Sequence, residues 1–586
     1  MKAVTFNNSH PAADTQFLPT TGKEIKALGW ERPDIILVTG DSYIDSPYIG
    51  VAVIGKVLLK AGFKTAVIAQ PDVHSDIDIK RMGEPKLFWG VSGGCVDSLV
   101  ANYTALKKRR KKDDYTPGGL NNRRPDRAVI QYTNLIRRYF KNTVPIVLGG
   151  IEASLRRICH YDFWSDTVRK SVLFDAKADF LVYGMGETTA ACLAKALNEN
   201  QPLEKIPGLC YISKEKQDGY IELPSYDEVK AGTDKFIEMF DIFYQNNDPT
   251  TARGLFQKHD SRYLVQNPPS EYLDGKALDA VHDLKYGRDL HPYYKKMGHV
   301  KALDTIRFSI PIHRGCYGEC NFCSISVHQG QTVRWRSEKS ILKEAEVISK
   351  LPDFKGTITD VGGPTANMYG FECKKKLKRG NCPDKRCLYP KVCKNLKPNH
   401  SALVVLLKKL KSIKGIKHVF SASGIRYDLI FSDQKAGEVY LKQIVDHHVS
   451  GQLKIAPEHT EDAVLDLMGK PGNRYLLDFK KKFDAYSKKA GKKQFLTYYF
   501  IAAHPGCRDV DMEKLKKFTR KKLKINPEQV QIFTPTPSTY SSLMYYTGLN
   551  PFTGKKIFVE KDANRRDKQK QTLIKKTGKS RKTKKG

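Results

Sequence analysis

No stretch of this 586-residue chain comes near the ~20 consecutive apolar residues that a helix needs to cross a bilayer. Its first 22 residues are polar and lack the apolar segment of a secretion signal. Cysteine is also scarce, because twelve in a chain of this length do not make a disulfide scaffold. These absences exclude an integral membrane protein and a disulfide-stapled secreted one. We therefore expect a cytoplasmic protein whose cysteines are free thiols or metal ligands.

Acidic residues are outnumbered, since 63 Asp and Glu stand against 100 Lys and Arg and leave a net charge of +37. Such an excess favours polyanionic partners such as nucleic acid, ribosomes or acidic membrane surfaces, but it does not determine the fold. Residues 555–586 carry fourteen Lys and Arg, three acidic residues and almost no apolar periodicity. This segment is predicted to be a disordered basic tail, either a solubilising extension or an RNA- or DNA-binding arm.

The chain is long enough for more than one domain, and 40% hydrophobic residues suffice for sizeable cores. Residues 1–223 alternate strand and helix patterns, which predicts a doubly wound α/β domain with a parallel sheet. The strand patterns in this part lie at 34–40, 65–69, 86–90, 144–148 and 180–183. Residues 224–298 have a mixed pattern with one amphipathic helix, and we interpret them as a linker subdomain.

From residue 299 to 554 the strand–helix alternation resumes. Six strand patterns lie at 307–312, 357–361, 417–421, 453–456, 495–502 and 529–533. Six such units are two short of a full barrel, so they predict an open, partial (β/α)6 barrel. Barrel chemistry sits at the carboxyl ends of the strands, and the residues that follow each strand are therefore the candidates for a site.

Three cysteines follow the first strand of this barrel, in the run His313-Arg-Gly-Cys316-Tyr-Gly-Glu-Cys320-Asn-Phe322-Cys323. The spacing C-x3-C-x2-C can wrap three corners of an iron–sulfur cube, and Gly315 and Gly318 let the loop curl tightly. Thiolate is a soft ligand, which favours iron–sulfur or zinc over hard cations. Zinc and ferredoxin-type sites normally use four ligands, so three would leave one iron of a cluster open to bind substrate. The alternative is a structural group of cysteines without a cluster.

Polar or glycine residues also follow the later strands. Gly362 and Gly363 follow the second strand and expose backbone groups to a ligand. Ser423 and Arg426 follow the third and could reach a ribose or a carboxylate, and Glu458 follows the fourth. Together these groups predict one shared active-site mouth.

The cysteine spacing, with aromatic Phe322 just before the third cysteine, resembles the signature of the radical S-adenosylmethionine (SAM) superfamily. The resemblance implies that Cys316, Cys320 and Cys323 hold a 4Fe–4S cluster whose open iron chelates SAM. It implies that Phe322 lies near the adenine and that the glycine pair meets the ammonium group of SAM. It further implies reductive cleavage of SAM to methionine and a 5′-deoxyadenosyl radical that abstracts hydrogen from a substrate. An outside electron donor such as flavodoxin or ferredoxin would be needed.

Longer runs resemble the YgiQ-type radical SAM proteins from about residue 17 to 555, among them the runs at 148–156, 360–369 and 453–459. That family implies a cobalamin-binding-like domain ahead of the radical SAM barrel. The cobalamin loop of related folds is D-x-H-x-x-G, and here the loop reads Asp45-Ser-Pro47-Tyr-Ile-Gly50, whose proline has no nitrogen ligand. We therefore expect a fold remnant and no cobalamin, while binding without a histidine ligand is left open.

A second group of four cysteines lies between the second and third barrel strands, at Cys373, Cys382, Cys387 and Cys393. Lysines crowd this region, and positive charge stabilises thiolates. Four thiols suit a structural zinc or a second iron–sulfur cluster, although the spacing matches no common zinc motif. A loop of unligated thiols is the alternative.

The sequence thus predicts a radical SAM enzyme. The net charge makes RNA or a ribosomal component the preferred substrate class, and no membrane partner is expected. The rival hypothesis is a noncatalytic nucleic-acid-binding protein with structural metal sites, which would have no affinity for SAM. An electron-transfer protein fits less well, because the long barrel and the open iron would then have no purpose. No residue is identified as a general base or radical relay.

Overall fold

A computed structural model describes residues 17–574, which fold into an N-terminal α/β sheet domain and a C-terminal half barrel. The strands of the first part are β1 (Ile35–Thr39), β2 (Thr65–Ala69), β3 (Phe88–Ser92), β4 (Ile146–Gly149), β5 (His160–Asp162), β6 (Thr167–Arg169), β7 (Phe180–Val182), β8 (Leu209–Ser213), β9 (Ile221–Leu223), β10 (Leu255–His259) and β11 (Arg262–Gln266). Its helices, including the connection to the barrel, are α1 (Gly22–Ala27), α2 (Gly50–Lys60), α3 (Ile77–Lys80), α4 (Ser98–Asn102), α5 (Ala128–Tyr139), α6 (Gly150–Ser154), α7 (Val172–Ala176), α8 (Glu187–Asn198), α9 (Tyr226–Ala231), α10 (Thr233–Gln245), α11 (Gly275–His282), α12 (Pro292–Lys295) and α13 (Ala302–Ile306).

Nine of these strands form one sheet in the order β2-β1-β3-β4-β7-β8-β11-β10-β9. The first five run parallel, whereas β8 and β11 are antiparallel to their neighbours. All five residues of β1 are buried, which explains its continuous apolar sequence, because helices cover both faces of a parallel sheet. Each strand pattern predicted between residues 34 and 183 coincides with a strand of this sheet. The predicted doubly wound N-terminal domain is confirmed.

The predicted linker subdomain at 224–298 is not a separate unit. Strands β10 and β11 pair with β9 and β8 and so complete the N-terminal sheet. Helix α10, where an amphipathic helix was predicted, buries Phe236, Met239, Phe240 and Phe243 in the core of the same domain. Sequence patterns missed these strands because both carry polar residues such as Gln257 and Gln266, which are buried and hydrogen-bonded in the sheet.

The second part contains the six barrel strand positions predicted from the sequence. Its strands are β12 (Ser309–Pro311), β13 (His313–Arg314), β14 (Arg334–Trp335), β15 (Thr357–Ile358), β16 (Asp360–Gly362), β17 (His418–Val419), β18 (Gln452–Glu458), β19 (Phe495–Ala502) and β20 (Val530–Ile532). Its helices are α14 (Ile325–His328), α15 (Glu338–Ser349), α16 (Lys374–Arg379), α17 (Ser401–Lys411), α18 (Tyr427–Ser432), α19 (Gly437–His447), α20 (Asp462–Leu467), α21 (Leu476–Lys489), α22 (Asp509–Phe518), α23 (Tyr540–Thr547) and α24 (Ala563–Leu573).

The barrel strands run parallel around an incomplete circle. Strand β12 pairs with β16, β15 pairs with β17, and β18, β19 and β20 form a continuous sheet. Strands β15 and β16 are one strand interrupted at Thr359, and a bridge between Ile425 and Ile455 joins the β17 side to β18. The predicted partial (β/α)6 barrel is therefore confirmed, and its strand ends open toward one mouth.

The predicted disordered tail differs from the structure over residues 555–574, while residues 575–586 lie outside the described residues. Helix α24 packs against the barrel, where Leu573 is buried in the core. The amide of Gln569 accepts a hydrogen bond from Ala503 N at 2.9 Å and donates to Cys507 O at 3.3 Å. Arg566 donates to Phe533 O at 2.6 Å. Apolar periodicity gave no sign of this helix because polar side chains make most of its buried contacts.

The N-terminal domain meets the barrel at the carboxyl edge of its sheet. Glu187, at the start of α8 after β7, forms an ion pair with Arg314 in β13. Ser154, at the end of α6 after β4, lies 3.1 Å from the Nδ1 atom of His328 in α14. Among residues 17–574, none of the helices combines the length and the apolar composition that crossing a membrane requires.

Helix α24 provides a test of the packing at the C-terminal end. We expect Leu573→Ala to destabilise the barrel by about 2–5 kcal/mol, because it removes a buried side chain that is 2% exposed. Lys568→Ala on the same helix, whose side chain is 74% exposed, should change stability by less than ~0.5 kcal/mol. Urea unfolding followed by intrinsic fluorescence measures both. Equal midpoints for the two variants would contradict the packed helix.

Candidate active site

The three cysteines of the predicted cluster motif lie in one loop between β13 and β14. Gly315 opens this loop in the left-handed region, with φ = 78°, where a side chain would be strained. Gly318 lies next to two of the thiol groups. A Cβ added there would lie 3.2 Å from Cys316 Sγ and 3.6 Å from Cys320 Sγ. The backbone N–H of Gly318 donates to Cys316 Sγ at 3.3 Å. The close approach explains why the chain uses glycine here.

The three thiols lie close enough to influence each other's ionisation. Burial raises the pKa of Cys316, and the neighbouring Cys320 raises it further. Burial, Cys320 and Cys316 together raise the pKa of Cys323. Cys316 and Cys323 are therefore protonated at neutral pH in the absence of metal, and metal binding would release their protons.

One guanidinium faces the thiols. Arg426 Nη1 lies 3.9 Å from Cys320 Sγ, while its Nε donates to Asp428 at 3.0 Å and its Nη2 donates to the same carboxylate at 2.5 Å. Burial alone would lower the pKa of Arg426, but the Asp428 carboxylate raises it above its ordinary value. The side chain therefore stays charged and fixed beside the thiols. The sequence suggests that Arg426 meets a ribose or a carboxylate, and in the structure two of its three nitrogens bind the carboxylate of Asp428.

The glycine pair at the end of β16 lies next to this loop. A Cβ on Gly363 would lie 2.7–2.9 Å from three atoms of the His313 ring, closer than side chains normally approach. Thr365 Oγ1, two residues further on, lies 3.8 Å from Cys316 Sγ. Burial lowers the pKa of His313 to about 4, so this ring is neutral at physiological pH. Gly362 is buried and Gly363 half-buried, and neither leaves room for a side chain beside the cluster loop.

Ser423 and Glu458 occupy the neighbouring strand ends, but both already have partners. The Ser423 hydroxyl donates to Asp360 Oδ2 at 2.5 Å. Glu458 lies 3.5 Å from Lys470 Nζ and has a left-handed backbone with φ = 66°. Burial raises the pKa of Glu458, and Lys470 partly offsets this effect. Glu458 also lies within electrostatic reach of Arg426 and Cys323, which puts it in the same mouth.

Phe322 lies between the cluster loop and the last barrel strands. Its ring meets the ring of His504 edge-on, with centroids 6.3 Å apart. It packs against the cores of both parts of the chain. The preceding residue, Asn321, is held by its backbone N–H to Met468 O at 2.9 Å and by its side chain to Leu467 O at 2.9 Å. The expectation that Phe322 adjoins an adenine stays a prediction.

A cavity of about 330 Å³ lies inside the barrel below the glycine pair. Its lining includes Ser309, Asp360, Ser423, Lys454 and Tyr499. The interiors of closed barrels are usually filled by bulky branched side chains, whereas this partial barrel leaves a cavity lined by both polar and apolar groups. Sequence analysis did not single out Asp360, although its position directly before Val361 and the glycine pair was a usable signal.

The N-terminal domain contributes the loop after β1, which carries the Asp45–Gly50 motif. Asp45 is fully buried and accepts hydrogen bonds from Gly287 N at 2.6 Å and from the Tyr43 hydroxyl at 3.0 Å. It therefore anchors the segment that leads to the barrel. Burial raises the pKa of Tyr48, the Asp360 carboxylate raises it further, and a hydrogen bond from Ser309 opposes the shift. Tyr48 thus reaches barrel residues from the N-terminal domain, a contact that the sequence did not indicate.

The second cysteine group forms a segment beside the cluster loop. Cys373, Cys387 and Cys393 pack in one small hydrophobic core, and Cys382 lies outside that core. Throughout residues 17–574, no three His, Cys, Asp or Glu side chains are arranged to hold a single metal ion. That finding includes both cysteine groups. The donor set of the first group nevertheless fits a 4Fe–4S cluster, because such a cube spreads its thiolate ligands over separate irons.

The comparisons with known proteins agree with this geometry. Residues 17–309 match the family model described as Radical SAM N-terminal, and residues 310–519 match that of the Radical SAM superfamily. A UPF0313 protein from Fusobacterium nucleatum is 59% identical over 562 residues, which cover 96% of this chain and 99% of that protein. A UPF0313 protein from Thermotoga maritima is 50% identical over 561 residues, covering 95% and 98% respectively.

The solved structures that resemble this chain are more distant. The methyltransferase TsrM from Kitasatospora setae, with cobalamin and a [4Fe–4S] cluster bound, is 12% identical with a TM-score of 0.47, covering 88% of this chain and 78% of that one. The cobalamin-dependent enzyme OxsB, with aqua-cobalamin bound, is 12% identical with a TM-score of 0.49, covering 90% and 57%.

The domains and their order define this protein as a radical SAM enzyme with an N-terminal α/β domain. Within that class, the chain belongs to the UPF0313 family of radical SAM proteins. The family expected from the sequence is thereby confirmed.

Our expectation that cobalamin does not bind is corrected. It rested on Pro47, which stands where a histidine ligand would be. Residues 17–309 match the Radical SAM N-terminal model as a whole domain, and one missing histidine is too narrow a ground for calling that domain a remnant without a cofactor. Pro47 removes one metal ligand and does not exclude the cofactor.

Gly363 provides a test of the mouth. We expect Gly363→Ala to weaken SAM binding by about tenfold or more, because the new methyl group overlaps the His313 ring and displaces the glycine pair. Gly275→Ala, where a Cβ meets only Trp335 O at 3.7 Å, should leave the affinity within about twofold. Anaerobic equilibrium dialysis with labelled SAM measures both, after iron analysis has shown equal cluster content. If Gly363→Ala binds SAM as tightly as the wild type does, Gly362 and Gly363 are not part of the SAM-binding site.

Proposed function

We propose that this protein binds a 4Fe–4S cluster through Cys316, Cys320 and Cys323 and uses SAM to abstract a hydrogen atom from a substrate. One observation carries the proposal: Cys316, Cys320 and Arg426 surround Gly318 at the barrel mouth, and Cys323 follows in the same loop. When bound, the cluster supplies the electron that cleaves SAM to methionine and a 5′-deoxyadenosyl radical.

The residues of this chain have three tasks in that reaction. Arg426, charged and held by Asp428, offsets the negative charge of the thiolates. Gly362 and Gly363 present backbone groups to the amino-acid end of SAM, and Phe322 packs against its adenine. The buried mouth excludes water, which protects a reactive radical from side reactions.

The barrel cavity beneath the glycine pair offers the space in which the substrate presents its hydrogen atom. RNA is the substrate class that the charge favours. Helix α16, whose Lys376 contacts the cluster loop at Glu319 with a separation of 3.5 Å, exposes Lys374, Lys375 and Lys378 to solvent. A basic helix next to the mouth would attract a phosphate backbone. The electron comes from an outside donor, for which flavodoxin or ferredoxin is the proposed class.

The proposal is tested by the formation of 5′-deoxyadenosine from SAM. Protein reconstituted anaerobically and reduced with dithionite should form this product, and Cys320→Ala should reduce it to the level found without protein. Cys192→Ala, a thiol on α8 away from the cluster loop, should keep full activity. Chromatography with mass detection measures the product.

Absence of product from wild-type protein with a full cluster, also after addition of hydroxocobalamin, bulk RNA or cell extract, would contradict the proposal. Product that appears only with RNA would support the proposed substrate class. Equal product from Cys320→Ala and wild type would show that the cleavage does not depend on these cysteines.

A further inference from the structure

The segment between α16 and α17 lacks internal structure of its own. Residues 380–400 contain neither helix nor strand. Their aliphatic residues are only Leu388, Val392 and Leu396. Ordering a residue costs roughly 1–2 kcal/mol of backbone entropy, which so small an apolar set does not repay. Small segments of this kind are usually held by disulfides or by metal, and all cysteines of the described residues are free thiols.

Three thiols of this segment pack in the same small hydrophobic core. Cys373, at the N-cap of α16, is buried, and Cys387 and Cys393 pack against the same apolar residues. The backbone N–H of Cys393 donates to Cys387 O at 2.8 Å, which brings these two residues together. Cys373 and Cys393 both act electrostatically on Cys387. Cys382 lies on the same short segment, five residues before Cys387, and is the fourth thiol of the group.

The surroundings suit a negatively charged thiolate centre. Lys376 is only 4% exposed, and its ammonium group lies 3.8 Å from Cys387 Sγ. It also donates to Gln331 O at 2.7 Å. A buried ammonium is costly unless negative charge accompanies it, and here the carboxylate of Glu319 at 3.5 Å is joined by the thiols. Thiolates bound to metal would complete this balance.

The segment also touches the first cysteine loop. The ring of Tyr317 belongs to the same apolar cluster as Cys373, and Cys316 packs against it. Arg386 donates to Glu319 O at 3.0 Å and to Asn321 Oδ1 at 2.7 Å. A metal centre bound in this segment would therefore also hold the loop of Cys316, Cys320 and Cys323 in place.

We propose that Cys373, Cys382, Cys387 and Cys393 bind a second iron–sulfur cluster. Within residues 17–574 no three donors lie close enough together to hold one ion, whereas the thiolates of an iron–sulfur cluster bind separate irons. An iron–sulfur cluster has its ligands spread over several irons and accommodates more widely separated thiols, as in the first cysteine group. The assignment does not depend on SAM cleavage.

The experiment measures metal in a protein that lacks the first site. The triple variant Cys316→Ala/Cys320→Ala/Cys323→Ala, reconstituted anaerobically with iron and sulfide, should retain about four iron and four sulfide per chain. Wild type should hold about twice that amount, and further substitution of Cys387→Ser/Cys393→Ser in the triple variant should remove the remaining iron. Adding Cys192→Ser instead is the matched control, and it should leave the iron content unchanged. Zinc, iron and sulfide are measured together, and circular dichroism confirms the fold of each variant.

A folded triple variant without iron, or with one zinc that reconstitution does not replace, would overturn the assignment. If the double substitution prevents folding, Cys382→Ser replaces it, and complete retention of the cluster there would remove that residue from the ligand set. Electron paramagnetic resonance provides the second readout. The reduced triple variant should still show an iron–sulfur signal, which the quintuple variant should lack. These results do not depend on whether the wild-type protein cleaves SAM, which the assay of 5′-deoxyadenosine tests separately.

Discussion

The site depends on keeping three thiols close together in a buried loop with a single guanidinium opposite them. Bringing three thiolates out of water is unfavourable unless positive charge and metal compensate for them. Gly318 leaves the space for that approach, since a Cβ there would lie only 3.2 Å from Cys316 Sγ and from Arg426 Nη1. Asp428 in turn fixes Arg426, so the arrangement of the mouth follows from the charge balance around one loop.

The N-terminal domain lies against one side of the barrel opening. The residues after β4 and β7 touch β13 and α14, which flank the three cysteines, through Glu187 and Ser154. The loop after β1 uses its buried aspartate, Asp45, to hold the chain leading to the barrel. The edge where doubly wound folds bind their ligands therefore faces the carboxyl ends of the barrel strands. A cofactor or substrate between them would contact both parts.

Much of this architecture could be predicted because parallel strands buried on both faces have continuous apolar sequences. The apolar sequence of β1 is one such pattern. The spacing of the three cysteines is equally local, because it involves only eight consecutive residues. The strands β10 and β11 were missed because the buried side chains of Gln257 and Gln266 form hydrogen bonds with residues far away in the sequence. The same holds for helix α24, where Arg566 and Gln569 form hydrogen bonds with residues far away in the sequence and Leu573 alone is apolar and buried. The partner of Arg426 is Asp428, two residues away, yet the spacing gave no indication that this pair would turn toward the thiols.

The most direct test of the account is the electron paramagnetic resonance spectrum of the reduced first cluster with and without SAM. It is best recorded on Cys387→Ser/Cys393→Ser protein, which isolates the cluster at Cys316, Cys320 and Cys323. If one iron there lacks a protein ligand and binds SAM, saturating SAM should shift the g-values of the signal, and Cys320→Ala in the same background should show no such signal. A spectrum unchanged by saturating SAM would contradict an open iron at this loop.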